Sequence, residues 1–150
     1  MGGRLARFTD PCGTIYGLAD MASGSKDPIP PPFGENPKPA IHTVCSLEMF
    51  ARDGDEAAGF FGAQFGWGTV QSMPQYMMFN PGAGVGGVFQ SHTPGLTAMA
   101  YVYVGNAAAT LTAIEAAGGK RTAEPMSTPG MGTFGYFTDV NGTHMGLMSP

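Results

Sequence analysis

Residues 8–18 read FTDPCGTIYGL and residues 137–147 read FTDVNGTHMGL, with seven of eleven positions identical at a constant offset of 129. Phe8, Thr9 and Asp10 match Phe137, Thr138 and Asp139, and Gly13-Thr14 match Gly142-Thr143. Each copy has the pattern of a hairpin: an apolar strand, a turn on Asp-x-x-Gly, and a second strand. Asp can accept from its own backbone in the turn, and Gly takes the positive φ that the reversal needs. Two copies at opposite ends do not make a solenoid. They predict the end of one unit followed by a complete second unit.

Between the copies, residues 22–39 hold a proline-rich run, ASGSKDPIPPPFGENPKP, which disfavours a helix or a central strand and favours an extended connector. The sequence therefore divides into a hairpin at 1–21, a linker at 22–39 and a compact domain at 40–150. Inside that domain, 40–50 alternates as a strand, with Cys45, Leu47 and Met49 on one face and Ser46 and Glu48 on the other. Asp53 or Asp55 can cap a helix carrying Ala57, Phe60, Phe61 and Phe65 at helical spacing. Short strands follow near 69–73, 76–80 and 84–90. LTAMAYVYV at 96–104 is rich in strand formers. Asn106 starts an Ala-rich helix that Gly118-Gly119 closes. Strands near 121–127, 132–138 and 143–148 finish a doubled βαβββ order.

That doubled module, with SLEMFARDGDEAAGFFGAQFGW in its first half and FTDVNGTHMGL at its close, resembles the vicinal-oxygen-chelate superfamily of glyoxalases, bleomycin-resistance proteins and extradiol dioxygenases. Val140 stands where the family hairpin has Pro, whereas the first copy keeps Pro11. The resemblance implies an α+β fold in which paired βαβββ modules form a cupped mixed sheet, here with an extra N-terminal hairpin. It also implies that 3–21 is similar to the last hairpin of a preceding module in a tandem protein.

Metal-dependent members of that superfamily hold a divalent ion with His, Glu or Gln from the first, fourth, fifth and last strands. The resemblance puts those positions on Ser46, Gln90, Met99 and Gly146. Only Gln90 carries such a donor, because a thioether or a glycine offers neither oxygen nor imidazole. The expectation is no metal and no cofactor. Glu48 and His144 could supply a displaced site, and His92 lies just past the fourth strand. The plainer expectation for His92 and His144 is solvation near strand ends.

Alternation on 96–104 sets Ala100, Val102 and Val104 against the helices and turns Met99, Tyr101 and Tyr103 into the cup. The ligand-binding candidates are thus Ser46, Glu48, Gln90, Met99, Tyr101, Tyr103 and His144, with no catalytic residue assigned. Tyrosine and methionine suit planar or irregular organic ligands. The expected function is metal-independent binding of a small organic molecule. The alternatives are a lyase, isomerase or dioxygenase with a displaced metal, and an assembly module or non-functional remnant.

Composition bounds the partners. A net charge of −4 and seven scattered Lys and Arg give no basic face for nucleic acid. No apolar run is long enough for a membrane span. Two cysteines without metal-ligand spacing fit a reducing cytoplasm. The exposed apolar residues expected of a lone hairpin predict a homodimer with 3–21 in the contact.

Overall fold

The structure is a computed structural model that describes residues 3–21, 39–82, 84–93, 95 and 97–150. The linker expected at 22–39 falls, but for Pro39, outside the described residues. Among the described residues the fold is α+β: two helices, eight strands of a mixed sheet, and a separate two-stranded antiparallel hairpin. Among the described residues no helix is long and apolar enough to cross a membrane. The chain forms two compact units; their described residues are 3–21 with 49–98, and 39–48 with 99–150.

The first unit opens with β1 (Gly3–Thr9) and β2 (Ile15–Met21), paired from Gly3↔Met21 to Thr9↔Ile15. It continues through the end of β3 (Val44–Phe50), α1 (Gly54–Phe65), β4 (Gly68–Met73), β5 (Tyr76–Asn80) and β6 (Gly87–Gln90). β4, β5 and β6 run side by side, antiparallel. Asp53 caps α1, its Oδ1 accepting from the backbone N–H groups of Asp55 at 2.8 Å and Glu56 at 3.1 Å, which settles the choice between Asp53 and Asp55. The core is aromatic. Phe61 stacks on Trp67 at 4.9 Å and Phe89 at 5.1 Å, and Phe79 stacks on Trp67 at 4.9 Å.

The hairpin lies on that core. Tyr16 meets the edge of Phe61 at 5.3 Å, and Phe8 packs against Phe65 at 5.7 Å and Phe60 at 6.1 Å. The Tyr16 hydroxyl also donates to the sulfur of Met49 at 3.3 Å, and Arg52 donates to the Pro11 carbonyl at 3.1 Å. The outer face stays bare: Leu5 is 81% and Ile15 69% exposed.

The second unit holds most of β3 with β7 (Ala98–Tyr103), α2 (Ala107–Ala116), β8 (Lys120–Thr128), β9 (Gly132–Thr138) and β10 (His144–Ser149), in the order β3-β7-β10-β9-β8. β10 runs parallel to β7 and antiparallel to β9. Asn106 caps α2 by accepting from Ala109 N–H at 2.8 Å. Leu111, Ala107, Val104 and Leu147 form a fully enclosed cluster, flanked by Val102, Ile114 and Phe137. These apolar contacts, more than the helix's own length of ten residues, hold α2 in place.

The sequence repeat is a structural repeat. In the first hairpin the Asp10 Oδ1 accepts from Cys12 N–H at 2.9 Å and Thr14 N–H at 2.8 Å; in the last, Asp139 Oδ1 accepts from Asn141 and Thr143 N–H, both at 2.8 Å. Gly13 and Gly142 take φ of 90° and 86°, the left-handed region that glycine enters without a Cβ clash. Registers match as well: Phe8 faces Tyr16 as Phe137 faces Met145.

Three element limits differ from the sequence expectation. β3 starts at Val44 and not at residue 40, because a turn with His42 at φ 69° precedes it. β6 starts at Gly87, since Gly82 and Gly84 both adopt positive φ and cannot extend the ladder. β7 is confined to Ala98–Tyr103 within the expected 96–104.

Candidate functional site

β3 and β7 lie side by side in the second unit, and both present buried polar or aromatic groups away from α2. Val102 and Val104 pack with the α2 cluster, so alternation turns Met99, Tyr101 and Tyr103 to the opposite face. On β3, Ser46 and Glu48 alternate against Cys45, whose thiol donates to the Tyr101 carbonyl at 3.5 Å. β9 completes the arrangement: Phe137 packs with the helix cluster, leaving Phe134 and Tyr136 on the aromatic side.

Glu48 and Tyr101 form the centre. The Tyr101 hydroxyl donates to Glu48 Oε2 at 2.6 Å, although the two residues lie 53 positions apart. Both are buried, at 8% and 4% exposure. Phe134 and Tyr136 each meet the Tyr101 ring edge-on at 6.1 Å. Burial, followed by the nearby Glu48 charge and hydrogen bond, raises the Tyr101 phenol far above its ordinary value. It therefore stays protonated and keeps donating. Burial likewise pushes the Cys45 thiol up to about 11, so it remains an unreactive thiol at neutral pH.

Tyr101 also explains Gly146. The two are direct partners across the parallel β7–β10 pair, and a Cβ at position 146 would stand inside the Tyr101 ring. A ligating side chain at 146 and the observed Tyr101 rotamer cannot coexist. Ser46, Met99 and Gly146 offer no carboxylate or imidazole, so these three positions do not fit the divalent ion that the sequence resemblance implies. Among the described residues, no three His, Cys, Asp or Glu side chains converge on a common point.

The remaining candidates have contacts of their own. Gln90 belongs to the first unit and is fully enclosed, its Oε1 accepting from Thr93 N–H at 2.8 Å and its Nε2 donating to Thr93 O at 3.4 Å. Both ends of that amide are occupied by one backbone corner. His144 is exposed at the start of β10, opposite Thr138. His92 is also exposed, its Nε2 3.1 Å from the Tyr76 hydroxyl. Sequence reasoning passed over Phe134 and Tyr136; the period-two pattern of GTFGYFT, read as on β7, carries that signal. It also passed over a cleft of about 240 Å³ in the first unit, lined by the start of α1 together with Gln71, Tyr76, Met77 and Phe89.

No protein-family model and no curated protein matches this sequence. Solved structures do match its fold. A methylmalonyl-CoA epimerase from Mycobacterium tuberculosis superposes with a TM-score of 0.56 at 13% identity, covering 75% of this chain and 93% of that one. A hypothetical protein from Bacillus halodurans C-125 gives 0.56 at 6% identity, covering 73% and 94%. The Mn(II)-bound glyoxalase from Novosphingobium aromaticivorans gives 0.52 at 19% identity, covering 73% of this chain and 39% of its own. This chain thus shares its architecture with an epimerase and a glyoxalase. At these identities the likeness is one of fold and carries no activity with it.

Proposed function

We propose that the protein is a metal-independent small-molecule-binding protein of the glyoxalase and bleomycin-resistance type, which holds an organic ligand against the face centred on Glu48 and Tyr101. The observation that carries this reading is the 2.6 Å hydrogen bond between them, because it fixes a buried carboxyl group against a phenol that stays neutral. A carboxylate in such a place is unfavourable until a further donor or cation meets it. A ligand that donates to Glu48 and lays an aromatic or irregular apolar body on Tyr101, Tyr103 and Met99 would supply that partner. Sequestration needs only shape and complementary walls.

One epimerase neighbour holds methylmalonyl-CoA. β3, β7, β9 and β10 carry no Lys or Arg, so this face offers nothing to the phosphates of a coenzyme A thioester. A lyase, isomerase or dioxygenase with a displaced metal would need convergent ligands, and the described residues bring no three His, Cys, Asp or Glu side chains together.

The test is a calorimetric titration of metal-stripped protein with bleomycin and a panel of aromatic amines. Saturable binding that ignores a chelator, and that Glu48→Gln weakens by about tenfold, is the expected result. Binding or turnover that appears only with one equivalent of a divalent ion would overturn it.

A further inference from the structure

The hairpin β1–β2 copies β9–β10 in sequence, turn bonding and register, and it also buries the equivalent face. Phe8 lies against the α1 aromatics as its counterpart Phe137 lies against the α2 cluster, and Tyr16 joins Phe8 on that face. What differs is the strand beside it. β10 has β7 along its outer edge, paired in parallel at Met145↔Ala100, Gly146↔Tyr101, Leu147↔Val102 and Met148↔Tyr103. β2 corresponds to β10, and among the described residues no strand pairs with its outer edge.

Gly17 makes the difference specific. It is the counterpart of Gly146, over which the Tyr101 ring lies; at Gly17 an added Cβ would meet nothing within 4 Å. Ile15, at 69% exposure, and Leu18, at 44%, flank it. An open strand edge with bare apolar residues is a template for another strand, which proteins otherwise cover or blunt. The other free edge, on β1, corresponds to the side where β9 meets β8, and that pairing shifts register between Arg121 and Ala123 and again between Ala123 and Met126. The β2 side copies the regular ladder.

We propose that the outer edge of β2 is a strand-addition site. Its occupant is a parallel β-strand from another polypeptide that alternates small and aromatic residues, as the first strand of a βαβββ module does. It sets one aromatic ring over Gly17. Backbone bonds to Ile15–Met21 supply affinity, and the ring on the glycine sets the register. A second copy of this chain does not meet the description through β7, because that strand already has β3 and β10 on its two sides.

The probe is a synthetic peptide of Thr97–Gly105, this chain's own β7 sequence, with added terminal lysines for solubility, titrated into the isotope-labelled full-length protein. The expected result is saturable shifts confined to the amides of Ile15–Met21. A spin label on the peptide N-terminus should broaden Ile15 more than Met21, which reports parallel pairing. Gly17→Val in the protein, or serine in place of Tyr101 in the peptide, should each weaken binding by about tenfold or more. Gly17→Val fills open space, so an unchanged melting temperature checks that the variant is folded. Absent shifts at 15–21, broadening at the Met21 end, or equal binding by the serine peptide would each overturn the proposal. So would sedimentation showing that the full-length protein self-associates through the hairpin, which would make a second copy the occupant.

Discussion

The ring of Tyr101 rests on Gly146, its direct partner across the β7–β10 pair, and from there its hydroxyl reaches Glu48 at 2.6 Å. The glycine on one strand thus sets the position of a hydrogen bond on another. Gly146→Ala should push the ring aside, break the Glu48 bond and lower the unfolding free energy by about 1–3 kcal/mol, the usual range for overpacking. In a Tyr101→Ala background the same substitution should do much less, since the obstructing ring is gone. A double-mutant cycle by chemical denaturation measures that coupling.

Tyr101→Phe removes only the donor. Leaving Glu48 buried without it should destabilise the protein by about 1–3 kcal/mol. The pH dependence has a definite sign. Unfolded tyrosine titrates near its ordinary value of 10.0, whereas folded Tyr101 and Tyr16 hold their protons to higher pH, mainly through burial and then through Glu48 and Asp10. Cys45 behaves alike, moving from 9.0 to about 11. The folded state therefore binds more protons, and stability present below pH 9 is lost as pH rises through 9 to 11 and beyond. Ultraviolet titration should show Tyr16 and Tyr101 failing to ionise before the protein unfolds.

The last turn has the opposite sign. Hydrogen bonds from Thr143 and Asn141 N–H hold the Asp139 carboxyl below its ordinary 3.8. The stabilisation is present above 3.8 and is lost as pH falls through the lower folded value. Asp139→Ala should lower the melting temperature at neutral pH and lose that deficit in acid. Asp139→Asn keeps the accepting oxygen, so it should melt near the parent while shedding part of the acid dependence. Thermal melts at neutral and strongly acid pH separate the three proteins.

Hairpin docking rests on Tyr16 and Phe61, whose rings meet edge-on at 5.3 Å. Phe61→Ala removes the hub of the aromatic core and should cost about 3–5 kcal/mol. Tyr16→Ala should instead release 3–21 first, which limited proteolysis would detect as cleavage in the hairpin before any in 49–98. Simultaneous cleavage throughout would count against a separately releasable hairpin.

The parts legible in the sequence are those governed by neighbours along the chain. Asp53 and Asn106 announce their helices because an N-cap acts over three residues. AMAYVY announces both its strand and its faces because small and aromatic residues alternate in it. The Asp-x-x-Gly turn declares itself twice. Contacts across the fold were not legible. Nothing near Glu48 says that a phenol 53 residues away will bond it, nor does GVFQS reveal that Gln90 is bound to the backbone of Thr93. Gly146 could be seen to lack a ligand. That it lies beneath a ring is a fact of three dimensions.

Trp67, the chain's single tryptophan, stacks on Phe61 and Phe79 within the first unit, and Phe61 in turn touches Tyr16. The second unit contains tyrosines but no indole. Selectively excited emission therefore comes from one half of the molecule alone, and undocking of the hairpin would unshield the stack that the fluorophore shares. The protein thus carries its own optical gauge for the state of residues 3–21, while events around Glu48 must be followed through tyrosine resonances instead.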